Sequence, residues 1–331
     1  VMLMVVTRTA GVAAAGIYSL AIAVGQQFQT LGMYEVRTYH VTDARRRFSF
    51  GTYLTARVLT VVLMVTGIVA YAVFSGGGAS QVILVTLIAS LRVFDAFEDV
   101  LYSEFQRSGR LDIGGRACFW RILTTTAVFS VGLVATGSLL WSTVIALVVS
   151  TAATVALYVP PARGLFPLRP CWDVRAVGQV LTECLPLFLA SFLAMYLANA
   201  PRYAINHYLD ARAQGFFAIL YMPAVAINLL SLLVFRPLLT RMARYWTQGE
   251  WSEFRSLIVR GLRTTFMASV AVAVVTWVAG PPVLALVFGQ DLSPYRPELM
   301  VLVAGGAFNA GGVILYYALD RKSTRLNSSH W

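Results

Sequence analysis

The stretch TYLTARVLTVVLMVTGIVAYAVF, residues 52–74, is apolar along its whole length except for one charge, Arg57. About 20 apolar residues in a helix cross the ~30 Å hydrocarbon layer of a bilayer, so this stretch is one crossing long. Three arginines, Arg45, Arg46 and Arg47, precede it, and the connection that follows, Ser75-Gly-Gly-Gly-Ala79, has no charge. Arginine-rich connections stay in the cytoplasm, so this helix has a direction as well as a length.

The same unit recurs along the chain. Apolar runs of near-bilayer length lie at 11–34, 52–74, 80–102, 117–136, 138–159, 177–200, 214–235, 264–288 and 297–318. None alternates with the period of two that a transmembrane β-strand needs. The reading is an all-α polytopic membrane protein with nine full spans. Composition agrees: 58% of residues are hydrophobic, 12% are charged and the mean hydropathy is +0.70. A water-soluble domain has about 25% charged residues, so this chain lacks the polar surface to coat itself in water.

Charge then orients the spans. Arg37 and Arg45–Arg47 follow the first; the next connection has none. Arg107, Arg110 and Arg116 come next, then the uncharged Gly137 turn, then Arg163, Arg169 and Arg175. A mixed loop with Arg202, Asp210 and Arg212 precedes the cluster Arg241, Arg244, Arg255, Arg260 and Arg263, and the last turn has only Arg296. Rich and poor connections alternate without a slip, which places the rich loops, and the N-terminus from which a helix ahead of the first full span would start, in the cytoplasm of a bacterial inner-membrane protein. The net charge of +11 is therefore spread over loops and forms no single patch for nucleic acid. Cys118, Cys171 and Cys184 fit no metal or redox spacing and read as ordinary thiols. No phosphate loop, HExxH or GxSxG run occurs, so no enzyme active site and no cofactor site is expected.

The ends read differently from the middle. Residues 1–6 look like the last part of a helix that begins upstream. Residues 320–331 switch abruptly to polar sequence, include Lys322, the one lysine of the chain, and resemble a translated sequencing-library adapter. They are left out of the functional reading.

An internal repeat organises the rest. Gly16-Ile-Tyr-Ser, an apolar helix, a basic loop, Arg57, a second apolar helix and Gly76 are echoed by Gly215-Phe-Phe-Ala, an apolar helix, a basic loop, Arg263, an apolar helix and Gly280. Both copies start on the outer side, so the repeat is parallel, an architecture known among two-lobed transporters. The expected division is a first lobe at 1–159, a cytoplasmic linker at 160–176 and a second lobe at 177–319, with the tail at 320–331.

These features carry a resemblance. Gly16-Ile-Tyr-Ser-Leu-Ala, the arginine loop before Phe50-Gly-Thr-Tyr, Phe105-Gln-Arg-Ser-Gly-Arg, Pro201-Arg-Tyr-Ala-Ile-Asn before Gln214-Gly-Phe-Phe-Ala, and Phe288-Gly-Gln-Asp make the chain similar to the polysaccharide-repeat-unit flippases (Wzx-like). Those flippases are part of the multidrug/oligosaccharidyl-lipid/polysaccharide exporter (MOP) superfamily. The resemblance runs over residues 1–319. It implies a transporter with no ATP-binding domain that moves undecaprenyl-pyrophosphate-linked oligosaccharide from the cytoplasmic to the outer leaflet by alternating access. A multidrug or cation antiporter of the same superfamily is the alternative; a membrane-embedded polymerase fits less well, since the longest outer loop is only about 201–213.

Candidate site residues are charges and amides inside spans, where a central charge costs about 2.5–3.5 kcal/mol on insertion scales. Arg92, Asp95, Asp99 and Tyr102 are spaced to share one helix face, with Glu98 beside them. They either line a cavity that meets a diphosphate or sugar, or pair among themselves. Arg57 lines the same cavity or snorkels to the headgroups; Arg236, beside Pro237, reads as snorkelling. Gln26 and Gln29, with Thr30, form a polar strip that serves either substrate or helix packing. Asn199 and Arg202 stand at the outer end of their helix, where they line the outward mouth or simply belong to the loop. Glu183, near Pro186, is the candidate for coupling to H+ or Na+, with a plain interfacial carboxylate as the alternative.

Overall fold

The structure, a computed structural model, describes residues 1–43 and 47–328, and within these it leaves undescribed the side chains of 231–240, 243 and 316–328. Arg45 and Arg46 of the first basic loop, the side chain of Arg236 and the side chains of the tail lie outside the described residues. Among the described residues all regular structure is helical, and nine stretches are long and apolar enough to cross a membrane. They are Met2–Thr42, Phe50–Phe74, Ala79–Arg107, Leu111–Thr136, Leu139–Arg163, Val174–Tyr208, Ala211–Leu230, Trp251–Phe288 and Ser293–Leu315. Each expected span falls on one of them, so the all-α polytopic fold class holds.

The first stretch has three pieces. Helix α1 (Met2–Met33) is broken at Gly11, whose φ of 86° and ψ of 176° belong to a region that only glycine enters freely. Across that break the Tyr18 hydroxyl donates to Met2 Sδ at 3.2 Å, so the opening segment folds back on the helix that follows. At its other end α1 stops where Tyr34 and Glu35 take φ values of 47° and 53°. Two consecutive left-handed residues other than glycine are uncommon; here they turn the chain into the short helix α2 (Val36–Thr42).

Ser49 caps α3 (Phe50–Phe74) by accepting from the Thr52 amide at 3.3 Å. The third span is two helices, α4 (Ala79–Ser90) and α5 (Arg92–Arg107), joined at Leu91. Gly25 of α1 lies against that joint: a side-chain carbon there would meet the Ala89 carbonyl and the Arg92 stem at 3.0 Å. Next come α6 (Leu111–Thr136) and α7 (Leu139–Arg163), separated by the left-handed Gly137 and tied together by Thr125 and Ser150, whose hydroxyls are 2.6 Å apart. Pro160 and Pro161 fall inside the last turn of α7, so the non-helical part of the expected linker is 164–173. Asp173 then caps α8 (Val174–Tyr208).

Two compact units result, Val1–Phe216 and the remainder from Phe217. In the first, α8 runs antiparallel to α1. Tyr203 donates to the Ala23 carbonyl at 3.2 Å, Gln27 to the Phe192 carbonyl at 3.0 Å and Ser191 to Glu35 at 2.7 Å, while Tyr34 stacks on Phe188 at 4.3 Å. Also in this unit, the start of α9 (Ala211–Leu220) crosses α1 at Gly16. A side-chain carbon on Gly16 would overlap the Ala211 carbonyl, and one on Gly215 would overlap the Val12 carbonyl. Gly16 and Gly215 are thus each in contact with the other's helix.

The second unit is built from α10 (Met222–Gln248), α11 (Trp251–Phe288) and α12 (Arg296–Ser328), with Ile227, Val303 and Ala310 buried among them. Both units also expose large apolar side chains: Val62, Leu63, Phe119, Trp120 and Val148 in the first, Phe266, Val275, Val278 and Val301 in the second. Patches of that kind on α3, α6, α7, α11 and α12 call for lipid as solvent.

Candidate functional site

Helix α5 carries four carboxylates, Asp95, Glu98, Asp99 and Glu104, and each has an arginine within 4 Å. Buried charge persists only when paired, and here the partners come from three different helices. Successive side chains on a helix point 100° apart, so a single acidic helix can serve several neighbours at once.

The first cluster lies where α5 faces α1 and α6. Arg121 of α6 binds Glu98 through two nitrogens, one of them at 2.9 Å, and also reaches Asp95. Arg92 donates to the other oxygen of Asp95 at 3.0 Å. Arg121 and Glu98 are buried; Arg92 is 31% exposed. Arg92, Asp95 and Arg121 line a cavity of about 210 Å³ within the first unit, together with Tyr18, Ile22 and Thr125. The Arg92–Asp95 pair forms and both residues line the cavity, whereas Asp99 and Tyr102, expected on the same face, meet Arg57 and Arg37 away from it.

The second cluster lies where α5 faces α2 and α3. Arg57 is completely buried and donates to Asp99 at 2.7 Å and to the Gly32 carbonyl. Gly32 is in the last turn of α1, where carbonyls lack helical partners and carry partial negative charge. Thr60 fills the same carbonyl at 2.8 Å. Arg57 thus does not snorkel to the headgroups: a closer and drier anion is available inside the bundle. Arg37 approaches Asp99 at 3.5 Å from α2 and covers the Tyr102 ring at 4.5 Å. We expect Arg57→Met to cost about 1.5–3 kcal/mol, the worth of a charged hydrogen bond, because Arg37 and Thr60 keep part of the pairing. Arg57→Lys should recover only part of that, since one ammonium lacks the fork that reaches two acceptors. Thermal unfolding in detergent reads both; a midpoint unchanged in Arg57→Met would contradict this account.

The remaining candidates lie apart from these clusters. Gln26 is half-buried on α1, and Gln29 reaches Met33 Sδ at 3.9 Å; it is Gln27, between them, whose amide crosses to α8. Arg202 donates to Asn199 at 2.6 Å near the end of α8, with Asn199 buried. Glu183 is paired with Arg47 at 3.3 Å. Among the described residues no group of His, Cys, Asp and Glu is placed to hold a metal ion.

Sequence reasoning passed over Arg121. The run was expected to begin at residue 117, which puts Arg121 at the membrane edge, but α6 begins at Leu111. Ten residues of helix, about 15 Å, carry Arg121 inside. Asp112 in the first turn of α6, beside Arg110 and Arg116, was the available signal of an earlier start.

No family model and no curated protein matches the sequence. Among solved structures, one described as an inward-facing conformation of a multidrug resistance MATE family transporter of the MOP superfamily aligns with a TM-score of 0.58. The alignment covers 97% of this chain and 82% of that one, at 12% identity. The chain has a MATE-like fold. At that identity the likeness speaks for the arrangement of helices alone. Within the MATE-like fold, the chemistry of the cavity follows from this chain's own Arg92, Asp95 and Arg121.

Proposed function

We propose that this chain is a membrane transporter that flips a lipid-pyrophosphate-linked oligosaccharide, a precursor of cell-surface polysaccharide, from the cytoplasmic to the outer leaflet by alternating access. The observation that carries the reading is Arg92: a guanidinium in a membrane span, partly exposed at the wall of a cavity that Arg121 also lines. A planar guanidinium fork pairs with phosphate through two parallel hydrogen bonds. The cavity's size supports the same choice. At about 210 Å³ it is smaller than the usual ~300–1,000 Å³ of a drug-sized site, yet it accommodates a phosphate group while sugar and prenyl chain stay outside.

The reading includes lobes at 1–159 and 177–319 joined by 160–176, arginine-rich loops and N-terminus in the cytoplasm, and membrane lipid as the surroundings. Arg57 and Asp99 hold the bundle around the cavity. Gln26, Gln29, Asn199 and Arg202 contribute along the path, and Glu183 is the candidate for H+ or Na+ coupling. The second reading, a drug or cation antiporter, is favoured by the acidic residues Asp95 and Glu98 beside Arg92, and by the solved transporter of similar fold, which is a multidrug one.

Reconstitution separates the two. Vesicles containing the protein should move a fluorescent lipid-pyrophosphate oligosaccharide across the bilayer and leave cationic dyes in place. Arg92→Ala removes one charged hydrogen bond, about 1.5–3 kcal/mol, and should slow that movement roughly ten- to hundredfold in a protein that still inserts. A folded Arg92→Ala protein with the parent rate overturns the assignment, and dye movement in place of lipid movement selects the antiporter.

A further inference from the structure

We propose that the groove between α11 and α12 in the second unit seats one acyl chain of an anionic phospholipid, whose phosphate meets Arg255. The inference does not rest on the transport reading, and its test measures no transport.

Glycine explains why there is a groove. Small residues ordinarily let two helices come close in a membrane, and Gly306 of α12 does so: a side-chain carbon there would meet Ala224 of α10 at 3.1 Å. Gly311 and Gly312 do the opposite. A side-chain carbon on either would meet nothing within 4 Å among the described residues, so these positions leave space open. With Ala304 and Ala307 they line a cavity of about 600 Å³ whose other side is α11. Phe266 and Phe308 also line it and are 69% and 84% exposed. None of the described residues around it is charged, and its volume is that of a ligand site, ~300–1,000 Å³.

Charge names the occupant. The stripe of α11 that lines the cavity includes Leu262, Phe266, Ser269 and Ala273, at steps of four, three and four. Continued toward the start of the helix, the same steps reach Val259 and then Arg255, so both fall on that face. Arg255 is exposed, about 10 Å along the axis from Leu262. Around it, residues 241–263 hold five arginines, Arg241, Arg244, Arg255, Arg260 and Arg263, against two carboxylates, Glu250 and Glu253. Among the described residues none of the five forms an ion pair, whereas Arg57, Arg92 and Arg121 of the first unit are each held by a carboxylate of their own bundle. An apolar channel with an uncompensated basic end matches a molecule with a hydrocarbon tail and an anionic head.

Helix length puts the two parts at the right depths. At 38 residues, α11 rises about 57 Å, well beyond the ~30 Å hydrocarbon layer. Its arginine-bearing first turns therefore reach phosphate level while the groove stays among the chains. Phospholipid is the amphiphile that surrounds a spanning helix. An acyl chain gains little by leaving other chains for an apolar groove, so selectivity lies with the headgroup, at about fivefold per arginine near an anionic surface.

Photocrosslinking tests this on the full chain in detergent, where lipid is a dilute ligand. A phosphatidylglycerol with a diazirine on one acyl chain should label residues 262–273 and 300–315. Unlabelled phosphatidylglycerol should compete roughly tenfold better than phosphatidylcholine, and Arg255→Gln should narrow that gap about fivefold. Gly312→Leu has room for its side chain and gains helix propensity. It should melt no lower than the parent and lose most of the label; if it does not fold, Gly311→Leu takes its place. Equal competition by the two lipids in the parent overturns the proposal, as does an unchanged gap in Arg255→Gln or full labelling of a folded Gly312→Leu. An unlabelled groove in a parent that runs as a dimer on size exclusion overturns it too, and gives the groove to a second copy of the chain.

Discussion

An Arg121→Met chain should lose about 3–5 kcal/mol of folding stability, the cost of breaking a buried ion pair by deleting one side of it. Arg121 is 4% exposed and supplies three hydrogen bonds, two to Glu98 and one to Asp95. Methionine fills much of the space but leaves Glu98 buried with no cation. Asp95 fares better, since Arg92 still holds its other oxygen at 3.0 Å. The loss should therefore concentrate on Glu98, and the double variant Arg121→Met with Glu98→Gln should recover at least half of it. Asp112→Asn is the control: its partners Arg110 and Arg116 are exposed at the end of the same helix, and such exposed pairs contribute little because water screens them. Thermal unfolding in detergent, followed by the monodisperse fraction on size exclusion, measures all three. If the single variant melts with the parent, Arg121 is not the cation that keeps Glu98 in the bundle.

Gly16→Leu should be nearly as damaging for a different reason. Overpacking a protein interior costs about 1–3 kcal/mol when side chains can move aside, but the atoms facing Gly16 are the Ala211 carbonyl and the Gly215 amide nitrogen, which cannot rotate away. The helices would have to separate, so the loss should reach or pass the upper end of that range. Small residues let helix backbones approach in membranes, where packing replaces the hydrophobic effect as the force between helices. Gly11→Ala probes backbone alone, since nothing lies within 4 Å of its missing side chain but its φ is 86°. It should cost less than Gly16→Leu in the same melting experiment. Equal losses, or a Gly16→Leu protein as stable as the parent, would mean that the α1–α9 crossing is not a close one.

What could be read before any coordinates follows from range. Span length and loop charge are local properties, and the nine spans came out where the apolar runs lie. The repeat was legible as pattern too, because Gly16 and Gly215 each open a similar order of features. That the two glycines meet was not, since contact between distant segments leaves no mark on either. The same holds for charge. Arg92 and Asp95 are three residues apart and their pairing could be foreseen; Arg57 finds Gly32 and Asp99, 25 and 42 residues away, and a rule for single helices sent it to the headgroups instead. His40 gave no signal at all, its partner Ser103 being 63 residues distant. Arg121 failed for a local reason, a helix start misplaced by six residues of polar sequence.

The acidic helix α5 also bears on how the protein is made. As a lone segment it would bring Arg92, Asp95, Glu98 and Asp99 into hydrocarbon, and each charge at mid-membrane is penalised by about 2.5–3.5 kcal/mol on insertion scales. Its neutralising arginines arrive on both sides in synthesis order, Arg57 earlier and Arg121 later. Until α6 has been made, Glu98 has no cation within the bundle. Residues 79–107, although long and apolar enough to cross a membrane, therefore gain the full set of partners for these charges only when α6 follows them.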